Sequence, residues 1–151
     1  VTSDAGVTSD AGVTSDAGMG STEKFLSMQY RCTKTVTGDE LEGAAGVNGE
    51  AAAVARLFEL GLREIVLKRG AFGATCFSSD GTVVESPAFQ VEELDPTGAG
   101  DCFGGAYVAC RRLGMPVEKA LTYGCAAGAR NVTARGPMEG AGTLAELDEF
   151  I

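Results

Sequence analysis

Asp95-Pro96-Thr97-Gly98-Ala99-Gly100-Asp101 runs directly into Cys102-Phe103-Gly104-Gly105-Ala106-Tyr107. An acidic residue, a small Gly/Ala turn and a second acidic residue open a segment whose Phe103, Ala106, Tyr107, Cys110 and Leu113 fall at helical spacing. Gly98 and Gly100 let the backbone take unusual dihedrals and approach a ligand closely. The unpaired N–H groups at the start of the helix, with the positive end of its dipole, then form an anion site. Asp101 stands at that same helix start. A carboxylate beside a bound phosphate needs a task, and accepting a proton from a hydroxyl that attacks the phosphate supplies one.

Working outward, the pattern is regular from about residue 48. Ala51 to Leu60 reads as a helix, with Val54, Leu57 and Phe58 on its apolar spacing and Gly61 ending it. Ile65-Val66-Leu67, within Glu64 to Lys68, suits a buried parallel strand. Ala74 to Ser78 and Thr82 to Glu85 flank Ser79-Asp80-Gly81, a hairpin signal. Phe89 to Leu94 reads as a further strand leading into the Asp95 segment. Gly114-Met115-Pro116 punctuates, and Val117 to Asn131 forms a second helix rich in small residues. Thr143 to Ile151 closes as an amphipathic helix, with Thr143 as cap and Glu146 three residues on. This order predicts an α/β fold: a mostly parallel sheet flanked by helices, with a β-hairpin near residues 74–85.

Two other Gly-rich readings fail on context. Gly98 to Gly104 resembles a loosened dinucleotide fingerprint, but that fingerprint follows a buried strand closely. Here Val91-Glu92-Glu93-Leu94-Asp95-Pro96 is acidic and ends in proline. A P-loop is excluded because no Gly-Lys-Ser/Thr occurs.

Composition bounds the partners. The 151 residues, 44% hydrophobic and 22% charged, suffice for one domain with a core. A net charge of −9 argues against nucleic acid. It does not conflict with a phosphate-bearing ligand, where local N–H groups and a metal ion dominate. The cysteines at 32, 76, 102, 110 and 125 form no C-x-x-C pair, which reads against zinc and fits reduced thiols in the cytoplasm. Cys102, beside a helix start, is a candidate for a lowered thiol pKa; packing beside a tight turn is the plainer account. No run of about 20 apolar residues points to a membrane, and no secretion signal is expected. Val-Thr-Ser-Asp-Ala-Gly occurs three times, at 1–6, 7–12 and 13–18. Short copies with one Val each offer no core. Residues 1–36 are therefore expected to be a repeat-bearing, poorly ordered segment ahead of a partial α/β domain at 37–151.

Asp95 to Gly105 resembles the second signature of the ribokinase-like (PfkB-type) carbohydrate kinases. Two further stretches resemble that family in order and spacing. They are Lys68-Arg69-Gly70-Ala71-Phe72-Gly73-Ala74 and Asn131-Val132-Thr133-Ala134-Arg135-Gly136. The resemblance covers about residues 48–151 and implies ATP-dependent phosphorylation of a sugar hydroxyl. By it, Asp101 is the catalytic base, and Gly98, Ala99 and Gly100 form the anion hole. Lys68, Gly70, Gly73 and Cys125 would line the nucleotide. Asp95 and Thr97, with main-chain groups of Asn131, Ala134 and Gly136, would surround a monovalent, potassium-like ion. The family's Asn-x-x-Glu pair near Mg2+ has its nearest match in Thr37-Gly38-Asp39-Glu40, which leaves Glu40 as a magnesium candidate beside the plainer reading of a solvated acidic run. The family's N-terminal half, with its sugar pocket and lid, has no counterpart here. Ketohexoses or keto-deoxy sugar acids are the substrate classes implied, and the surface left by missing neighbours leads to an expectation of homodimers.

Overall fold

The computed structural model describes residues 33–151; the hexapeptide repeats and Cys32 lie outside them. Four strands form one sheet in the order β1 (Thr33–Val36), β2 (Glu64–Lys68), β3 (Ala74–Ser78), β4 (Val83–Ser86). β1 and β2 are parallel, joined through helices α1 (Gly38–Ala45) and α2 (Glu50–Glu59). β2–β3 and β3–β4 are antiparallel. The expected α/β architecture is present, with a mixed sheet: the hairpin supplies two of its four described strands. The hairpin turn is where Asp80-Gly81 marks it, with Gly81 at φ +89° and Thr82 N–H donating to Asp80 Oδ1 at 2.9 Å.

Strand alternation divides the core. Ile65 and Leu67 of β2 join Val36, Leu41, Ala53, Val54 and Leu57 on the α1/α2 side. Val66, with Ala74 and Cys76 of β3, packs on the other side. There it meets α3 (Ala99–Arg112), α4 (Val117–Val132) and α5 (Leu144–Phe150). Helices thus cover both faces. α3 and α4 lie close because α4 carries glycine at the contact: a Cβ on Gly124 would stand 3.0 Å from the Phe103 ring. α5 opens on the expected capping box, Thr143 N–H donating to Glu146 Oε2 at 2.7 Å and Glu146 N–H to Thr143 Oγ1 at 3.3 Å. It is tied to α4 by the hydrogen bond that Tyr123 donates to Asp148.

Three elements differ from expectation. Phe89 to Leu94 is irregular, not a strand. The amides of Leu94 and Asp95 both donate to Val132 O at the end of α4, at 2.8 and 3.1 Å, so they are not available to a ladder. β1 falls in a stretch that carries no readable pattern, and its Thr33–Val36 backbone is ordered by pairing with β2. α1 was also illegible, since Leu41 and Ala45 are its only buried residues.

Candidate functional site

The site forms where β1 and β2 end and β3 begins, the edge of an α/β sheet at which ligands typically bind. Lys68 closes β2, and the chain then makes a one-turn 3-10 helix, Gly70–Phe72, before β3. Gly73 has φ +98°, and a Cβ there would stand 2.0 Å from Ser86 O, so the loop packs flat on the exit of β4 only because the residue is glycine. Arg69 pins this loop. Its guanidinium donates twice to Glu50, Nη1 to Oε2 at 3.0 Å and Nη2 to Oε1 at 2.8 Å, while Nε donates to Thr75 Oγ1 at 2.8 Å. The hydrogen bonds from Arg69 hold the Glu50 carboxyl below its ordinary pKa.

Opposite stands the first turn of α3. Gly98 has φ +79°, a conformation costly to any other residue, and a Cβ on it would lie 1.6 Å from Pro137 O. At Gly100 the bare Cα leaves room for Lys68, whose Nζ lies 3.1 Å from where a Cβ would sit. A lysine ammonium therefore meets the N-terminal turn of a 14-residue helix. Both carry positive potential toward the same space, which suits an anion. Between these walls is a cleft of about 270 Å³, lined by Lys68, Gly70, Gly73, Ala99, Gly100 and Cys125 among the residues singled out in the sequence. Phe89, Val91, Phe103, Gly128 and Val132 make the rest of its wall mainly apolar. Phe103 lay on the expected helical spacing and Gly128 among the small residues of the second helix, whereas nothing local marked Phe89, Val91 or Val132 for the cleft, which assembles the five from three separate segments. Asp101 does not line the cleft. It is exposed one residue past Gly100, with its N–H donating to Gly98 O at 3.0 Å.

The third group buttresses the turn from behind. Asp95 accepts from Thr97 N–H at Oδ1 and from Gly136 N–H at Oδ2, both at 3.0 Å. Hydrogen bonds from Thr97 and Gly136 hold its carboxyl below the usual aspartate range. Asn131 is fully buried, and it contributes its side chain as well as its main chain. Its Nδ2 donates to Thr97 O at 2.9 Å and Pro137 O at 3.4 Å, and its Oδ1 accepts from Gly140 N–H at 3.3 Å. Ala134 N–H donates to Asn131 O at 3.1 Å. So Asp95, Thr97, Asn131, Ala134 and Gly136 do converge, as a lock between the 95–97 and 134–137 loops.

Glu40 is placed otherwise. Its Oε2 accepts from Thr37 N–H at 2.7 Å, closing a capping box on α1 that lowers its pKa; the charges of Lys68 and Lys34 add to the lowering. Among the described residues no three His, Cys, Asp or Glu side chains converge as a metal site. Cys102 departs from the reading of a lowered pKa: it is buried, and desolvation with the neighbouring Asp101 charge pushes its thiol up. Burial also raises Cys125, whose Sγ faces Ser86 O at 4.0 Å.

A model of the pfkB family carbohydrate kinases matches residues 27–143. The chain belongs to that family. It is 34% identical over 113 residues to the 2-dehydro-3-deoxygluconokinase of Thermoproteus tenax and 31% identical over 113 to the 5-dehydro-2-deoxygluconokinase of Bacillus licheniformis. Each match covers 75% of this chain and 34% of the relative, so the chain spans about a third of the length of those curated relatives. An E. coli protein described as a ribokinase II, solved in complex with ATP and Mg2+, superposes with a TM-score of 0.76 at 38% identity. That match covers 85% of this chain and 42% of the other. No helix among the described residues is long and apolar enough to cross a membrane.

Proposed function

We propose that this chain is the nucleotide-binding and base-bearing portion of an ATP-dependent sugar kinase. The observation that carries the reading is the juxtaposition of Lys68 Nζ with Gly100 at the first turn of α3, beside an apolar cleft. The E. coli relative that binds ATP and Mg2+ supports it. The apolar wall of Phe89, Val91, Cys125 and Val132 suits a flat base, and Lys68 with the α3 amides suits the phosphates. Asp101, exposed at the rim, is free to meet a hydroxyl presented from outside the cleft and to take its proton as the bond to phosphorus forms. The Gly98–Gly100 turn, already rigid through Asp95 and Asn131, needs no rearrangement to meet developing negative charge. Mg2+ bound with the nucleotide would offset phosphate charge. With no group of three or more His, Cys, Asp or Glu side chains converging among the described residues, it would be held mainly by phosphates and water, with Glu40 at most an outer partner. A monovalent ion, at the Asp95, Thr97, Asn131, Ala134 and Gly136 lock, would stiffen the same turn. We take the acceptor to be a keto-deoxy sugar acid or a ketose, and the compartment to be the cytoplasm.

The described residues present one side of such a site, and the 151-residue polypeptide is expected to bind nucleotide without useful sugar-dependent turnover. Holding the acceptor accounts for about 7–11 kcal/mol of a transfer barrier. Calorimetric titration with ATP and Mg2+, followed by a coupled ADP-release assay over hexoses, ketoses and sugar acids, tests this. Binding that Lys68→Ala weakens and Asp101→Asn leaves nearly unchanged is the expected result. Absence of nucleotide binding would remove the reading, and sugar-dependent turnover near ~1 s⁻¹ would show that the chain already holds an acceptor.

A further inference from the structure

Glu64 is an acidic side chain only 9% exposed, at the opposite end of β2 from Lys68. Three donors from two elements surround it. Tyr107 O–H donates to Oε1 at 2.7 Å, Arg111 Nη2 to Oε2 at 3.0 Å with Nε 3.4 Å from Oε1, and Thr33 Oγ1 lies 3.5 Å from Oε1. Arg111 also donates from Nη1 to Met115 O at 2.7 Å, holding the turn that follows α3. Tyr107 has no exposed surface. None of these groups lines the nucleotide cleft.

Their placement relative to the site is what matters. Glu64 and Lys68 lie on the same face of β2, about 13 Å apart at strand rise. Gly100 and Tyr107 are about 10 Å apart along α3, and Gly100 and Arg111 about 16 Å. β2 and α3 therefore run side by side in opposite directions and touch at two ends, Lys68 with Gly100 at the cleft and Glu64 with Tyr107 and Arg111 away from it. An apolar seam alone tolerates sliding by a fraction of a turn. Directional bonds from two consecutive turns of one helix to one carboxylate do not.

We propose that Glu64, Tyr107 and Arg111 are positioning residues that fix the axial register of α3 on β2, and so the distance between Lys68 and the Gly98–Gly100 turn. The consequence for ligand rests on the kinase reading above. Stability is a poor explanation for the cluster, because a buried ion pair is commonly replaced by apolar residues at little cost to folding. Register is a better one. A slip of one residue moves the turn by 1.5 Å, and about 1 Å of misplacement at a reacting centre costs roughly a hundredfold.

The test replaces directionality but keeps volume, in the full 151-residue chain: Glu64→Leu/Tyr107→Phe/Arg111→Met, with Tyr107→Phe alone as the milder variant. Thermal unfolding, amide NMR signals of Gly98 and Gly100, and affinities for ATP and for ADP with Mg2+ are measured for each. The triple variant should melt close to the parent. Its Gly98 and Gly100 amides should shift or broaden; and because the kinase reading sets the terminal phosphate against this turn, its ratio of ATP to ADP affinity should fall about tenfold relative to the parent. Tyr107→Phe should move the same amides less. Unchanged Gly98 and Gly100 signals in either folded variant would overturn the proposal, and so would a triple variant that unfolds, since the cluster would then serve stability. A parent chain that binds neither nucleotide would sink the kinase reading alone, because the amide comparison needs no ligand.

Discussion

Gly98 and Gly114 offer a matched pair that separates backbone strain from steric collision. Both are left-handed, at φ +79° and +81°. Around Gly114, which follows α3, nothing lies within 4 Å of where a Cβ would stand; at Gly98 that Cβ would be 1.6 Å from Pro137 O. Alanine at either position incurs the left-handed penalty of about 1–2 kcal/mol, part of it offset by a stiffer unfolded chain. Gly114→Ala should therefore cost about 1 kcal/mol. In Gly98→Ala the Pro137 carbonyl must also retreat by about 1.4 Å to reach the shortest contact real side chains show. That motion draws Pro137 O from Asn131 Nδ2 and Gly136 N–H from Asp95 Oδ2. Overpacking of this kind costs about 1–3 kcal/mol, and a loosened buried hydrogen bond about 1 more. The expected total is about 3–5 kcal/mol, which for a chain of this size lowers Tm by about 10 °C relative to the parent. Urea unfolding with a common m-value gives the difference directly. Equal destabilisation by the two substitutions would show that the 136–137 loop yields freely and that the turn is not buttressed as described.

Two further outcomes follow from titration. Because the Asp95 pKa is lowered in the folded chain, its contribution is present above the ordinary carboxylate value and is lost as pH falls through the lowered one. Urea midpoints measured from pH 5 to pH 2 should thus fall less steeply for Asp95→Asn than for the parent; parallel curves would remove Asp95 from the lock. Burial raises the thiols of Cys76, Cys102, Cys110 and Cys125, that of Cys76 to about 11. Iodoacetamide at pH 8 should leave these four unlabelled until denaturant is added, and rapid labelling of Cys102 in the folded chain, read by peptide mass, would contradict its burial.

The sequence was readable where one short segment carries its own instruction. Ser79-Asp80-Gly81 sets a hairpin and Thr143 and Glu146 cap α5 by contacts within four residues, and the glycines of 98–100 mark the start of α3 by their spacing. It was unreadable where the instruction comes from elsewhere. Thr33-Lys34-Thr35-Val36 has one buried apolar residue and becomes a strand through β2. Phe89 to Leu94 alternates like a strand but lends its last amide to the end of α4. Of the site, the phosphate-type turn and the loop after β2 were visible as glycine spacing. The Asn131 side-chain lock and the Glu64 cluster were not, since their partners lie as much as 34 and 47 residues away.

The glycines of α4 bear on how this cleft can change over time. Gly128 forms part of the cleft wall, yet a Cβ on it would stand 3.3 Å from Ala99 O, in the very turn that meets Lys68; Gly124 is similarly shut in by Phe103. Mutations that enlarge these positions to reshape the apolar end would push on the anion end as well. In the irregular 88–91 segment, Ala88 N lies 2.8 Å from where a Cβ on Gly73 would stand and Phe89 packs on the core and the Phe150 ring, which leaves Gln90 and Val91 as the less confined pair. Drift in what the cleft accepts is therefore channelled into Gln90 and Val91, while the α4 side is held fixed by a constraint that has nothing to do with the molecule being selected.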